Sequence, residues 1–148
     1  MFRDGIARLL VFQLGAERFA VALETVQEVI DAPVIQPLPD ASPTVRGITA
    51  VRGALIMVYD PRPLLNVDAR LDGAALLFAR GDRRVALAVD DVFDAIVVNE
   101  GELRCAPGVS AADGILVGVI RRGSELIAVV DANALIDAAT VVSEGERT

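Results

Sequence analysis

The carboxylates of this sequence have the most to offer chemically. Asp60 and Asp131 each close an apolar run, Asp90 and Asp91 stand side by side, and Asp94 follows three residues later. Two carboxyl groups held close together can divide acid and base work between them, as in glycoside hydrolysis. That chemistry wants aromatic platforms for the sugar, and the chain has no Trp and one Tyr. A carboxylate enzyme would require Asp60, Asp90 and Asp131 to converge on one pocket. The simpler role for Asp60 and Asp131 is capping. Each precedes a plausible helix start, DPRPLLN and DANALID, with Pro61 at the first helical position.

The rest of the catalytic inventory is short. Without His there is no imidazole base and no His-ligated zinc, and all 14 basic residues are Arg, so no lysine Schiff base or P-loop lysine exists. The single Cys105 builds neither a thiolate cluster nor an internal disulfide and suits a reducing compartment. It reads as an inert loop residue. No metal or cofactor is expected.

Two Arg-Gly pairs, Arg52-Gly53 and Arg122-Gly123, interrupt apolar runs. For Arg122 a solvated hairpin turn suffices, as it does for Arg80-Gly81-Asp82. Arg52 sits in ITAVRGALIMVYD (48–60), where its stem is expected against hydrophobic surface. A charge so placed wants a carboxylate partner. Glu28, in an acidic stretch of the same half, is the candidate.

The elements that position these residues occur twice. LVFQLGAERFAVALETVQEVI (10–30) matches LLFARGDRRVALAVDDVFDAI (76–96) without a gap at an offset of 66, aligning Phe12 with Phe78, Gly15 with Gly81 and Glu28 with Asp94. Each copy reads as strand, Gly turn, strand and short acidic helical turn. VRGITAVRGALIMVYD (45–60) matches LVGVIRRGSELIAVVD (116–131) at an offset of 71, with the Arg-Gly pairs slipped by one to 70. Each half offers about five short strands, enough for a small closed barrel. Halves this small have marginal cores and are expected to pack on each other. The expected fold is mainly β, two five-stranded SH3-like barrels with short helices, in one domain over 1–148. Its subdomains run from about 9 to 66 and 74 to 138. PVIQPLPDASP (33–43) is extended by its prolines, NVDARLDG (66–73) joins the halves, and the tail over 140–148 is expected to fray.

Composition bounds the partners. The chain is 148 residues long and 53% hydrophobic, with apolar runs broken by Gly, Asp and Arg. No run approaches the ~18 residues of a membrane helix, so no direct membrane insertion is expected. The start carries no signal-peptide pattern. A net charge of −7 and few aromatics for stacking argue against nucleic acid.

VFQLGAERFAVALETVQEVI, VRGITAVRGALIMVYD, VALAVDDVFDAI and LVGVIRRGSELIAVVD, in that order, resemble the signature stretches of the CheW family, the coupling proteins of bacterial chemotaxis. The resemblance covers roughly residues 9–137. It implies a double barrel without catalytic activity, bridging the cytoplasmic tip of a methyl-accepting chemoreceptor to the regulatory domain of a CheA-type histidine kinase. It also implies a cytoplasmic location beside membrane-bound receptor arrays. By resemblance, Glu28 and Arg52 form a salt bridge beside the receptor-binding groove, with Val26 on the same face. Val26, Glu28, Val29, Gly47, Val51, Arg52 and Gly53 are the expected receptor or kinase interface, and the apolar barrel ends are expected to meet the kinase. Ala50, Met57, Pro61 and Ala86 depart from the family pattern of Asn, Pro, Leu and Gly. A divergent adaptor binding one of the two partners is the alternative, with a small carboxylate enzyme behind it.

Overall fold

This computed structural model describes residues 1–39, 42–68, 71–105 and 114–147, with side chains through Thr140. Parts of the extended segment (40, 41), of the joining segment (69, 70) and the last tail residue (148) lie outside the described residues. The first half supplies β1 (Ile6–Leu14), β2 (Glu17–Ala22), β3 (Val26–Asp31), β4 (Val45–Val51) and β5 (Ala54–Tyr59). The second supplies β6 (Ala74–Arg80), β7 (Arg83–Val89), β8 (Asp91–Asn99), β9 (Leu116–Arg122), β10 (Glu125–Val130) and the helix α1 (Ala132–Arg147).

Two five-stranded sheets result, in the orders β8-β1-β2-β10-β9 and β3-β6-β7-β5-β4. They do not coincide with the halves of the sequence. The second sheet is one unbroken stretch from β3 to β7. The first is assembled from both ends of the chain around it. The expected division near 66–74 is therefore corrected: the N-terminal hairpin leaves its own half and pairs in parallel with β10, Val129 beside Ala20. The hairpin β6–β7 returns the exchange, pairing in parallel with β5, Val58 beside Ala86. Hydrophobic pattern alone specifies which face of a strand is buried, not which edge it joins.

The duplication survives in the register. β4–β5 pairs Gly47 with Val58 and Val51 with Ala54, and β9–β10 pairs Gly118 with Val129 and Arg122 with Glu125, the same ladder at offset 71. Arg52-Gly53 therefore corresponds to Gly123-Ser124, and Arg122 to Val51. The two Arg-Gly pairs are not structural equivalents. Past the edge strands, Gln36 bridges Ile48 and Arg104 bridges Val119, tying the chain beyond β3 and β8 to the opposite edge and closing each sheet into a barrel.

Burial on both faces explains the continuous apolar runs. Along β1, Leu9 and Val11 enter the core of the first barrel, while Leu10, Phe12 and Leu14 enter a cluster between the sheets. β6 repeats this, with Ala75 and Leu77 in the second barrel and Leu76 and Phe78 between the sheets. Three clusters thus share the interior. α1 seals the middle one with Ala132, Leu135, Ile136 and Ala139, a helical spacing of three and four.

Two expectations of local structure are corrected. The acidic stretches are mostly strand: a single 3-10 turn, Leu23–Thr25, precedes β3, and Asp90 leads directly into β8. Both are edge strands with one open face, which accepts charges that mimic the polar side of a helix. The tail is helical through Arg147 instead of frayed. Asp131 caps α1, its Oδ1 accepting the Ala134 amide at 3.0 Å, and Thr44 Oγ1 donates to the Ala139 carbonyl at 3.1 Å. Among the described residues, no helix is long and apolar enough to cross a membrane.

Candidate interaction site

At one end of the second barrel the β4–β5 hairpin turns through Arg52 and Gly53, both at positive φ (48° and 83°), the geometry of a type I′ turn. Gly takes that conformation freely; for Arg it costs roughly 1–2 kcal/mol. The turn aims the guanidinium at β3, the opposite edge strand of the same sheet. There Nη1 donates to Glu28 Oε2 at 3.1 Å and Nη2 donates to Oε1, a two-pronged clasp across the barrel seam. The Arg52 side chain is 68% exposed. The apolar run around it is buried, but the turn lifts this side chain out, so expected burial of its stem gives way to a surface pair. Hydrogen bonds from Arg52 hold Glu28 below its ordinary value of 4.5, and Glu28 raises Arg52 in return.

The other expected interface residues divide by role. Val51 is buried in the second-barrel core and supports the turn from beneath. Gly47, at φ 147°, lies so close to the Gln36 carbonyl that a Cβ would collide with it. Val29 is exposed on the edge strand. Val26 does not share the face of Glu28: a bulge between them turns Val26 toward the inter-sheet cluster.

The first barrel has a clasp of its own. Arg122 Nε donates to Glu102 Oε2 at 3.1 Å, and its Nη2 donates to the Val97 carbonyl at 2.5 Å, joining β9 to the far edge β8 and the turn after it. Arg122 is thus a seam residue, not a solvated turn residue. The Asn99 amide, and after it Arg122, hold Glu102 below 4.5.

The carboxylates singled out for catalysis are otherwise engaged. Asp60 and Asp90 do meet, on the guanidinium of Arg62, the largest fully buried side chain. Nη1 lies 3.0 Å from Asp60 Oδ1, Nη2 lies 2.5 Å from Asp90 Oδ1, and Nη2 also donates to the Leu71 carbonyl at 2.7 Å. Asp90 Oδ2 accepts the Gly15 amide at 2.9 Å, and Asp72 joins the edge of the cluster through Arg46. Asp60 also accepts the Arg62 amide at 2.9 Å, so the capping expectation holds for a 3-10 turn, Arg62–Leu64, instead of a helix. Asp131 takes no part and caps α1. Sequence reading missed Arg62; the available signal was its place two residues after a strand-ending Asp in DPR.

Ten strands in two interlocked barrels, each clasped across its seam by an Arg–Glu pair, define an all-β double-barrel protein. The model of the CheW-like domain family matches residues 8–140, and the chain belongs to that family. It is 26% identical over 135 residues to the chemotaxis protein CheW of Bacillus subtilis, covering 88% of this chain and 86% of that one. It is 25% identical over 138 residues to the chemotaxis protein CheW of Treponema pallidum, covering 86% and 81%. The crystal structure of the scaffolding protein TtCheW from Thermoanaerobacter tengcongensis shares the fold with a TM-score of 0.75 at 22% identity, covering 87% of this chain and 91% of that one.

Proposed function

We propose that this chain is a non-catalytic coupling adaptor of a chemosensory array, joining the cytoplasmic tip of a chemoreceptor to the regulatory domain of a CheA-type histidine kinase. It works in the cytoplasm beside the receptor-bearing membrane. Family membership supports the class of function, and the Glu28–Arg52 clasp is the observation that carries the site. A solvent-facing, bidentate pair on a strained turn adds little stability. Its use is to hold a defined shape and charge pattern at the barrel end. Val29, Gly53 and the neighbouring surface complete that receptor-facing end, with Gly47 and Val51 shaping it from within.

The kinase meets apolar surface. Leu55 and Leu126, equivalent at offset 71, are 76% and 64% exposed at the outer hairpin of each barrel. Paired exposed leucines on a duplicated scaffold suit a partner that is itself duplicated. Enzymatic use of the acids is the weaker reading, because Asp60 and Asp90 are bound to Arg62.

The test is binding of the purified chain to a receptor signalling-tip fragment and to a kinase regulatory domain, measured separately. Arg52→Ala is expected to leave the melting temperature nearly unchanged and to weaken capture of the receptor fragment. Unchanged capture of both probes by Arg52→Ala would reject the site. Wild-type binding to one probe alone would make the chain a one-partner adaptor.

A further inference from the structure

Arg84 stands at the same end of the second barrel as Arg52 and Glu28. Leu77 of β6 pairs with Glu28 on one side and Ala86 on the other, which sets the three in one row across the sheet. Leu77 and Ala86 face the barrel core. Arg84 lies two residues before Ala86 on β7, hence on the same face and nearer the open end, where it is exposed. β5 runs parallel to β7 with Met57 beside Val85, so the Arg52-Gly53 turn reaches the level of the β6–β7 turn.

One carboxylate here serves two guanidiniums. Glu28 is committed to Arg52 by both oxygens. Arg84 has no side-chain hydrogen bond or ion pair among the described residues. Its charge is nonetheless felt at Glu28, where it adds to the effect of Arg52. A surplus positive charge therefore sits at this barrel end, on a chain whose net charge is −7.

We propose that Arg84 is a docking cation: with Arg52 it receives a carboxylate-bearing segment of the binding partner at the open end of the second barrel. The acidic remainder of the surface repels such a segment, so the local surplus selects where it lands and steers its approach. Leu55, exposed three residues past Arg52, offers apolar contact beside the charge. The charge argument stands on the residues alone; it rests on the adaptor reading for the identity of the partner, a receptor tip.

The experiment measures the affinity of the full chain for a chemoreceptor signalling-tip fragment at low and high NaCl. Arg84→Gln is expected to weaken binding about threefold at low salt, and Arg84→Glu about tenfold, with a shallower salt dependence in both. Arg83→Gln, at the neighbouring position whose side chain points to the other face, is expected to stay within about twofold. Because Arg84 is exposed, all three variants are expected to melt like the wild type. Arg84→Glu binding as tightly as the wild type would overturn the docking cation. If Arg52→Ala weakened binding in that same series, the adaptor reading would stand. A wild-type chain that captured no receptor fragment would overturn both.

Discussion

The side chains of Arg62 and Asp90, 28 residues apart in sequence, meet at 2.5 Å at the point where the chain passes from the second barrel to the first. Asp90 ends the crossing from β7 and, with its other oxygen, holds the Gly15 amide of the N-terminal hairpin. Arg62 also binds Asp60 at the end of β5 and the Leu71 carbonyl in the joining segment. One guanidinium thus gathers both barrels and the connection between the halves. Hydrophobic burial between the sheets is not directional, and this cluster supplies direction.

Removing Arg62 leaves Asp60, 1% exposed, as an uncompensated buried charge. Arg62→Ala is expected to destabilise the fold by about 3–5 kcal/mol in urea unfolding. Adding Asp60→Asn to Arg62→Met is expected to recover part of the loss. Amide exchange at Gly15 should quicken in the single variant, and an unchanged unfolding midpoint would contradict the role given to Arg62.

Gly47 and Gly118 are equivalent positions with unequal demands. At Gly47 a methyl group would strike the Gln36 carbonyl, and φ is 147°. At Gly118 it would approach the Arg104 carbonyl at 2.6 Å and the Leu103 side chain at 2.9 Å, without the positive φ. Both alanine variants are expected to lose stability, Gly47→Ala by about 2–3 kcal/mol and Gly118→Ala by less. Thermal unfolding of the two, side by side, checks the order.

Ala32 leaves β3 at φ 45°, a conformation that costs a residue with a Cβ roughly 1–2 kcal/mol. Its amide donates to the Gly73 carbonyl at 2.9 Å, which glycine would keep. After the larger entropy loss of glycine, Ala32→Gly is expected to gain about 0.5 kcal/mol. A lower melting temperature for this variant would refute the strain.

Acid should loosen the surface clasps together. Glu28 and Glu102 sit below 4.5, and Asp137 below 3.8 because Arg80 hydrogen-bonds it from β6. Each is lowered in the folded state, so the folded chain binds fewer protons than the unfolded one in the acidic range. Their contribution is fully present above the ordinary carboxylate values and is lost as pH falls through the lower folded ones. Urea midpoints are expected to be flat near neutrality and to drop below about pH 4.5. Glu28→Gln and Glu102→Gln should each make that drop shallower, as should high salt.

The duplication was legible because glycines and apolar positions recur at fixed offsets, and the three-cluster interior follows from runs such as Leu9–Phe12 that have no polar face. The Glu28–Arg52 pair was legible as a charge seeking a partner in the same half. The exchange of hairpins was not, since Ala20 beside Val129 satisfies the same burial as a pairing within one half. Arg62 escaped notice because its three acceptors, at Asp60, Leu71 and Asp90, are scattered along the sequence and converge only through the crossing. The face of Val26 depended on one bulged residue, which a two-residue alternation cannot reveal.

The insertion of β3–β7 between the two parts of the first sheet fixes an order of events during synthesis. Every strand of the second barrel has left the ribosome once Val89 has emerged, whereas the N-terminal hairpin, made first, must wait for β8 and β10. Through that interval a greasy hairpin with unfilled edges is available to strangers, so the earliest segment of the nascent chain is the one with the greatest need of a chaperone.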